Sequence, residues 1–279
     1  MTEDDYNTHK TALSVDGYSI LNNVIPLEDI NLYRDIIDNV RNNPEPNENI
    51  RITGDKKTYP MGLNEPRFAG LSKLFTYDIL NNLLKELTDN KLIFCSHYDI
   101  YVGHDYRGIF HNDVMGLYEG VEYPAQMVKY KKILGTYPLN IYKEYDGESY
   151  KIYRMAIYLQ DHITGVNTFT VCPGSHLDVS KFEKKALKFK AGDVIIFDAR
   201  LWHCGTRRTK AIMDKTGDEH NKMAMFICAG RDNDFTKYHN LGGINRNFHF
   251  LKKPNDGSYK LSEQLKKVLD ENGYKYYDD

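Results

Sequence analysis

The sequence predicts a mainly β fold with helices packed on its outside, arranged as an antiparallel double-sheet jelly roll. Three observations predict it. Segments 92–102, 151–160 (KIYRMAIYLQ), 168–172 (TFTVC), 193–198 (DVIIFD) and 222–228 (KMAMFIC) are short, rich in β-branched and aromatic residues, and bounded by Gly, Pro, Asp and Asn. No helical pattern of about 10–15 residues separates them, which argues against a parallel βαβ sheet. The apolar stripes of helical period lie before and after this block, not inside it.

The first stripe follows Pro26, a residue suited to the first turn of a helix. Ile30, Tyr33, Ile36, Ile37 and Val40 recur at spacings of three and four, and the pattern stops at the turn-rich NNPEPNEN (42–49). A second stripe runs through Ile79, Leu80, Leu83, Leu84 and Leu87, and a last one through Leu261, Leu265, Val268 and Leu269. Stripes this narrow dock on a core. The strand-like block follows, interrupted by a long segment, roughly 114–150, that is rich in Tyr and Gly and has weak periodicity. A stretch of that length is functional or mobile.

With 279 residues, one elaborated domain is expected: a helical part over about 1–90, a core over about 92–230 and a C-terminal extension over 231–279. Lys and Arg number 37 against 39 Asp and Glu, a net charge of −2, so neither nucleic acid nor an anionic membrane is expected as partner. The beginning, MTEDDYNTHK, is acidic where a signal peptide is basic and then apolar, and no membrane-spanning run is present. Cys95, Cys172, Cys204 and Cys228 are scattered without a C-x-x-C pair. A reduced cytoplasmic protein is expected, a monomer or homodimer acting on a small molecule.

Ten histidines are present, and most call for no special role. His9, His220, His239 and His249 lie among polar residues and are expected to be solvated, and His176 to hydrogen-bond within its own PGSH turn. His111-Asn112-Asp113 is different. On a strand, residues i and i+2 share a face, so an imidazole and a carboxylate point the same way. His203 follows the strand-like GDVIIFDARLWH (192–203). Two neutral imidazoles and one carboxylate leave adjacent positions of a metal open, which suits non-haem Fe(II), whereas a structural zinc ion takes four protein ligands. His97-Tyr98-Asp99 has the same spacing on another strand-like segment, and local chemistry does not choose between the two pairs.

The segments IYLQDHITGVNTFTVCPGSH (157–176) and KAGDVIIFDARLWHCG (190–205) resemble the phytanoyl-CoA dioxygenase family of Fe(II)/2-oxoglutarate oxygenases, in which an L-Q-D strand leads to a P-G-S-H turn and a G-D-x-x-x-F-D strand delivers the distal histidine. DGYSILNNVIPLEDI (16–30) is similar to the family's opening strand and helix, so the resemblance runs, with gaps, from about residue 10 to 230. It implies a double-stranded β-helix of the cupin-like kind, with Fe(II), 2-oxoglutarate as cosubstrate and O₂. The implied activity is hydroxylation, desaturation or cyclisation at a C–H bond with release of succinate and CO₂. The family's proximal H-x-D follows an apolar residue, here Phe110, and the ligand separation of 203 − 111 = 92 is compatible, so the resemblance favours His111 and Asp113 with His203. The pair His97/Asp99 is then left as a polar strand face. The carboxylate of Asp113 also argues against the related halogenating enzymes, which have a small residue there.

Two departures bear on the cosubstrate. Where many members have Glu-Asn-Gly before the PGSH turn, this chain has Gly165-Val166-Asn167. Where the family anchors 2-oxoglutarate with an arginine at the start of the strand after the distal histidine, NKMAMFICAG (221–230) offers Lys222, a point charge without the guanidinium fork. Lys222 ranks ahead of Arg208 and its neighbour Arg207, with the insertion TKAIMDKTGDEH (209–220) blurring the alignment. Gln160 is a further cosubstrate candidate, Asp161 a tie between strand and turn, and Trp202 a packing residue. Tyr118 and Tyr130, in the segment 114–150, are candidates for the substrate wall. The alternative function is a non-catalytic sensor that binds metal or 2-oxoglutarate on the same fold, which the lysine supports; a Zn²⁺- or Mn²⁺-dependent hydrolase or isomerase on a similar barrel is a third.

Overall fold

The computed structural model describes residues 2–45, 50–53, 56–103, 110–114, 150–163, 168–178, 180–205, 222–248 and 260–278. In chain order the elements are α1 (Glu3–Val15), β1 (Tyr18–Leu21), α2 (Leu27–Asn42), β2 (Arg51–Thr53), β3 (Lys56–Pro60), two 3₁₀ segments (Gly62–Asn64 and Pro66–Thr76), α3 (Asp78–Leu87), β4 (Leu92–Phe94) and β5 (Asp99–Val102). They continue with β6 (Ile152–Tyr158), β7 (Thr170–Val171), β8 (Lys185–Ala186), β9 (Val194–Asp198), β10 (His203–Cys204), β11 (Met223–Arg231), α4 (Asp234–Phe248), α5 (Glu263–Glu271) and β12 (Lys275–Tyr276).

The larger sheet runs β1-β9-β6-β11-β5-β3-β2, with β4 paired to the far end of β11 and β12 added parallel to β4. All its other pairings are antiparallel. The smaller sheet is β10-β7-β8. Alternation along the central strands divides the core in two. Met155, Ile157, Val194, Ile196, Met223, Met225 and Ile227 face outward onto the helices, meeting Ile30, Tyr33 and Ile37 of α2 and Leu80, Leu83 and Leu84 of α3. Ala156, Tyr158, Ile195, Phe197, Ala224 and Phe226 face inward, onto Phe169, Val171 and Leu187 of the smaller sheet. Both faces are therefore buried, and this is why β6, β9 and β11 read as nearly unbroken apolar runs. The jelly-roll expectation stands.

Local chemistry sets the ends of the elements. Thr2 and Asp5 form a capping box on α1: the Thr2 hydroxyl accepts from the Asp5 amide at 3.3 Å and the Asp5 carboxylate accepts from the Thr2 amide at 2.8 Å. The turn before β9 needs a glycine. Gly192 sits at φ +95°, its carbonyl accepts from the amides of Val24 and Ile25 at 2.9 and 3.0 Å, and a Cβ there would lie 2.5 Å from the Ile25 carbonyl oxygen. The entry to α2 is thereby fixed to the sheet.

Two expectations need correction, and one helix is not anticipated by the sequence. Segment 92–102 is two strands, because Cys95–Tyr98 leave the ladder between the stretches where β4 and β5 each pair with β11. Ile79 is partly exposed while the rest of its stripe is buried. Helix α4, unmarked by a clear apolar stripe, follows β11 directly. The segment 114–150 beyond Val114, with Tyr118 and Tyr130, lies outside the described residues apart from Tyr150, as do Gly165 to Asn167, Arg207, Arg208 and the insertion 209–220. Among the described residues no helix is long and apolar enough to cross a membrane.

Candidate metal centre

The site grows from the turn that ends β9. The Asp198 carboxylate accepts from the Arg200 amide at 2.8 Å and from its guanidinium at 2.9 and 2.7 Å, so the F-D-A-R stretch closes on itself. Ser175 of the PGSH turn then accepts from the Trp202 amide at 2.9 Å, and the Trp202 carbonyl accepts from Cys172 at 2.8 Å. The role of both motifs is to hold the strand that carries His203. Trp202 packs on Phe182 with ring centroids 5.4 Å apart, in keeping with a packing role.

Residues 110–114 run antiparallel to that strand. The His111 amide donates to the His203 carbonyl at 2.9 Å and the His203 amide to the His111 carbonyl at 2.8 Å, while the Asp113 amide donates to Ala199 at 2.8 Å. Directly opposed residues of a ladder project to the same face, and the two rings meet with centroids 4.5 Å apart. Asp113, two residues on, projects the same way: its carboxylate lies 3.9 Å from His111 Nε2 and 3.8 Å from His203 Nε2. One ligand atom from each of the three lies within 4.8 Å of the others.

Each side chain is prepared differently. His203 is buried against Phe197 and Phe169, with centroids at 4.8 and 5.3 Å. Its Nδ1 donates to the Leu201 carbonyl at 2.9 Å, which leaves the Nε2 lone pair facing the site. Burial, joined by the neighbouring His111, pushes its pKa down to about 4, so the ring is neutral at neutral pH. Asp113 is buried beside Arg154, whose Nε lies 3.2 Å from the carboxylate. His111 has half of its side chain exposed and forms the open side of the group. Metal–ligand distances near 2.0–2.2 Å place the donors of one ion roughly 3.0–3.4 Å apart, so from contacts of 3.8 and 3.9 Å the donors must approach by about half to one ångström. Two imidazoles, a carboxylate and an open side fit a divalent ion that keeps positions for other ligands.

Lys222 is buried, with Nζ 5.1 Å from the centre of the Tyr158 ring and 3.5 Å from where a Cβ of Gly205 would lie. Gly205 is two residues beyond His203, so the ammonium stands on the metal side of the sheet. Gln160 ties β6 to β11, its Oε1 accepting from the Met223 amide at 2.9 Å and its Nε2 lying 2.9 Å from His162 Nε2. Asp161 accepts from the Ala191 amide at 2.8 Å and ties strand to turn.

His97 and Asp99 do not form a polar strand face, since both are fully enclosed. Asp99 lies 3.9 Å from Arg154 and accepts from Asn247 at 3.3 Å, while His97 joins Cys228 and His239. His239, expected in solvent, is 3% exposed. His176 reaches beyond its own turn: Nε2 donates to the Ser14 carbonyl at 3.2 Å, and its ring lies against Gly17. These placements depend on pairings across the chain, and polarity of the flanking sequence carried no signal of them.

No family model matches the sequence, and no curated protein matches it. Solved structures do. SnoN, a non-heme alpha ketoglutarate dependent epimerase from nogalamycin biosynthesis, is 12% identical, with 82% of this chain and 84% of that one covered and a TM-score of 0.58. It is also known in complex with Fe³⁺, alpha ketoglutarate and nogalamycin RO. SnoK, an alpha ketoglutarate dependent carbocyclase of the same biosynthesis, is 14% identical over 83% of this chain and 84% of its own, at a TM-score of 0.54. HygX from Streptomyces hygroscopicus, with nickel and 2-oxoglutarate bound, is 15% identical over 83% of this chain and 88% of its own, at 0.51. A further HygX structure contains hygromycin B. At these identities the likeness establishes a shared fold.

Proposed function

We propose that this chain is a 2-oxoglutarate-dependent non-haem iron dioxygenase, a single-domain oxidoreductase that oxidises a C–H bond of a small molecule. The observation that carries the proposal is the backbone pairing of His111 with His203, which brings two imidazoles and the Asp113 carboxylate to one point with one side open. The structural neighbours that hold iron or nickel with 2-oxoglutarate support it.

Bound Fe(II) would couple the oxidative decarboxylation of 2-oxoglutarate to oxidation of the substrate, chemistry that no side chain supplies. The chain's own residues hold and shield the centre. The Leu201 carbonyl fixes the His203 tautomer, Arg154 orients Asp113, and Phe169 and Phe197 close the inner side to water. Lys222 holds the far carboxylate of 2-oxoglutarate as a point charge. Small organic substrates of the kind bound by SnoN and HygX suit this assignment, and the outcome is hydroxylation, desaturation or cyclisation.

The test is calorimetry on chelator-treated protein with Mn²⁺ in place of iron. 2-Oxoglutarate is expected to bind only in the presence of the metal, and His111→Ala to abolish that binding. Absence of 2-oxoglutarate binding to metal-loaded protein would overturn the proposal. The lysine at position 222 favours a second reading, a sensor that binds both ligands; it predicts the same calorimetry with no succinate formed from any substrate.

A further inference from the structure

We propose that His97, Cys228 and His239 form a second, closed metal site that takes a thiolate-preferring cation such as Zn²⁺ and fastens α4 to the inner face of the large sheet. The three residues come from the break between β4 and β5, from β11 and from α4, and one ligand atom of each lies within 4.8 Å of the others. His97 and Cys228 are fully buried, and His239 nearly so. None of them belongs to the His111 group.

Buried ring nitrogens are almost always paired, because desolvation without a partner goes uncompensated. Here His97 Nε2 and both ring nitrogens of His239 have no nitrogen or oxygen partner among the described residues. One cation would satisfy a nitrogen of each ring. His97 is already oriented for this: Asn240 Oδ1 lies 3.4 Å from its Nδ1 and accepts from the Ser96 amide at 2.8 Å, which fixes the loop and turns Nε2 inward. Gly243 of α4 lets the helix approach, since a Cβ there would lie 2.5 Å from the His97 ring. The His97 and His239 rings are 5.3 Å apart between centroids.

The sulfur is suited to the role. Cys228 is fully buried, and its sulfur and a nitrogen of each ring lie within 4.8 Å of one another. Cation binding would release the thiol proton to solvent. Arg154 stands directly opposite Cys228 in the β6–β11 ladder, and the carboxylates of Asp113 and Asp99, at 3.2 and 3.9 Å, already answer its charge. Three protein ligands are one fewer than a structural zinc ion takes, so it is the enclosure by protein, which shuts out a substrate, and not the ligand count that assigns the site a structural role.

The test is titration of the chelator-treated, reduced, full-length chain with Co²⁺, followed by ultraviolet and visible absorption. A thiolate-to-cobalt charge-transfer band is expected, retained in His111→Ala, where it saturates at one equivalent, and lost in both Cys228→Ser and His239→Gln. Either of the two variants suffices should the other not fold. No such band in the wild type, or a band that persists in Cys228→Ser or His239→Gln, overturns the proposal. The His111→Ala control separates this outcome from failure of the first site, which changes the total stoichiometry without touching the band.

Discussion

Replacing Lys222 with methionine removes the ammonium and keeps most of the side chain's volume. In the proposed role the ammonium makes one charge-assisted contact to the far carboxylate of 2-oxoglutarate, from a buried position 5.1 Å over the Tyr158 ring. Such contacts contribute about 1.5–3 kcal/mol, and each 1.4 kcal/mol is tenfold, so Lys222→Met should weaken 2-oxoglutarate binding by roughly 10- to 150-fold. Loss of the cation–π contact lowers stability by about 0.5–2 kcal/mol, so the variant still folds with a modestly lower Tm. Calorimetry with Mn²⁺-loaded protein reads the affinity directly. At saturating 2-oxoglutarate the turnover should change little, because the contact binds ground and transition states alike. An unchanged Kd in folded, metal-loaded Lys222→Met would refute this role for the ammonium and move the anchor elsewhere.

His111→Ala is the cleaner test of the metal group, because its side chain is half exposed and its loss should leave the unfolding free energy within about 1 kcal/mol of wild type while abolishing stabilisation by Mn²⁺. Asp113→Ala should remove metal binding too, but it leaves the buried Arg154 with only the longer, 3.9 Å contact to Asp99 and should destabilise the fold by up to about 3–5 kcal/mol, seen in urea unfolding. Substrate-dependent succinate formation should vanish in both. Gly192→Ala forces a side chain into a left-handed backbone and against the Ile25 carbonyl, and should lower stability by about 2–4 kcal/mol. The Asp29 carboxylate accepts from Lys73 and from the Tyr77 hydroxyl, both at 2.7 Å, and the Lys73 contact chiefly holds its pKa below the usual value. A depressed folded pKa means stability that is present above about pH 4 and lost as the pH falls through the folded value; Asp29→Asn should flatten this part of the acid limb of a Tm-against-pH curve.

Much of the fold was legible because its elements declare themselves locally. The stripes of α2, α3 and α5 and the runs of β6, β9 and β11 are periodic patterns that survive into the structure. The two-residue strand β7 falls within the predicted segment 168–172, whereas β8, β10 and β12 are too short to carry a pattern and exist because a neighbour offers a ladder. Helix α4 lacked a marked stripe because it buries polar residues, Thr236, His239, Asn240 and Asn247 among them, and polarity reads as solvent exposure.

The chain's chemistry divides along the same line. Sequence alone determined that an imidazole and a carboxylate share a face at 111 and 113, since alternation along an extended backbone is a local property. The same rule applied equally at 97 and 99. Only tertiary pairing separated the two: a reciprocal pair of backbone hydrogen bonds sets His111 opposite His203, whereas the ladder breaks before β5 and sends His97 toward Cys228 and His239. Which strand lies beside which is fixed by the packing of the whole core, and no window of neighbouring residues contains that information.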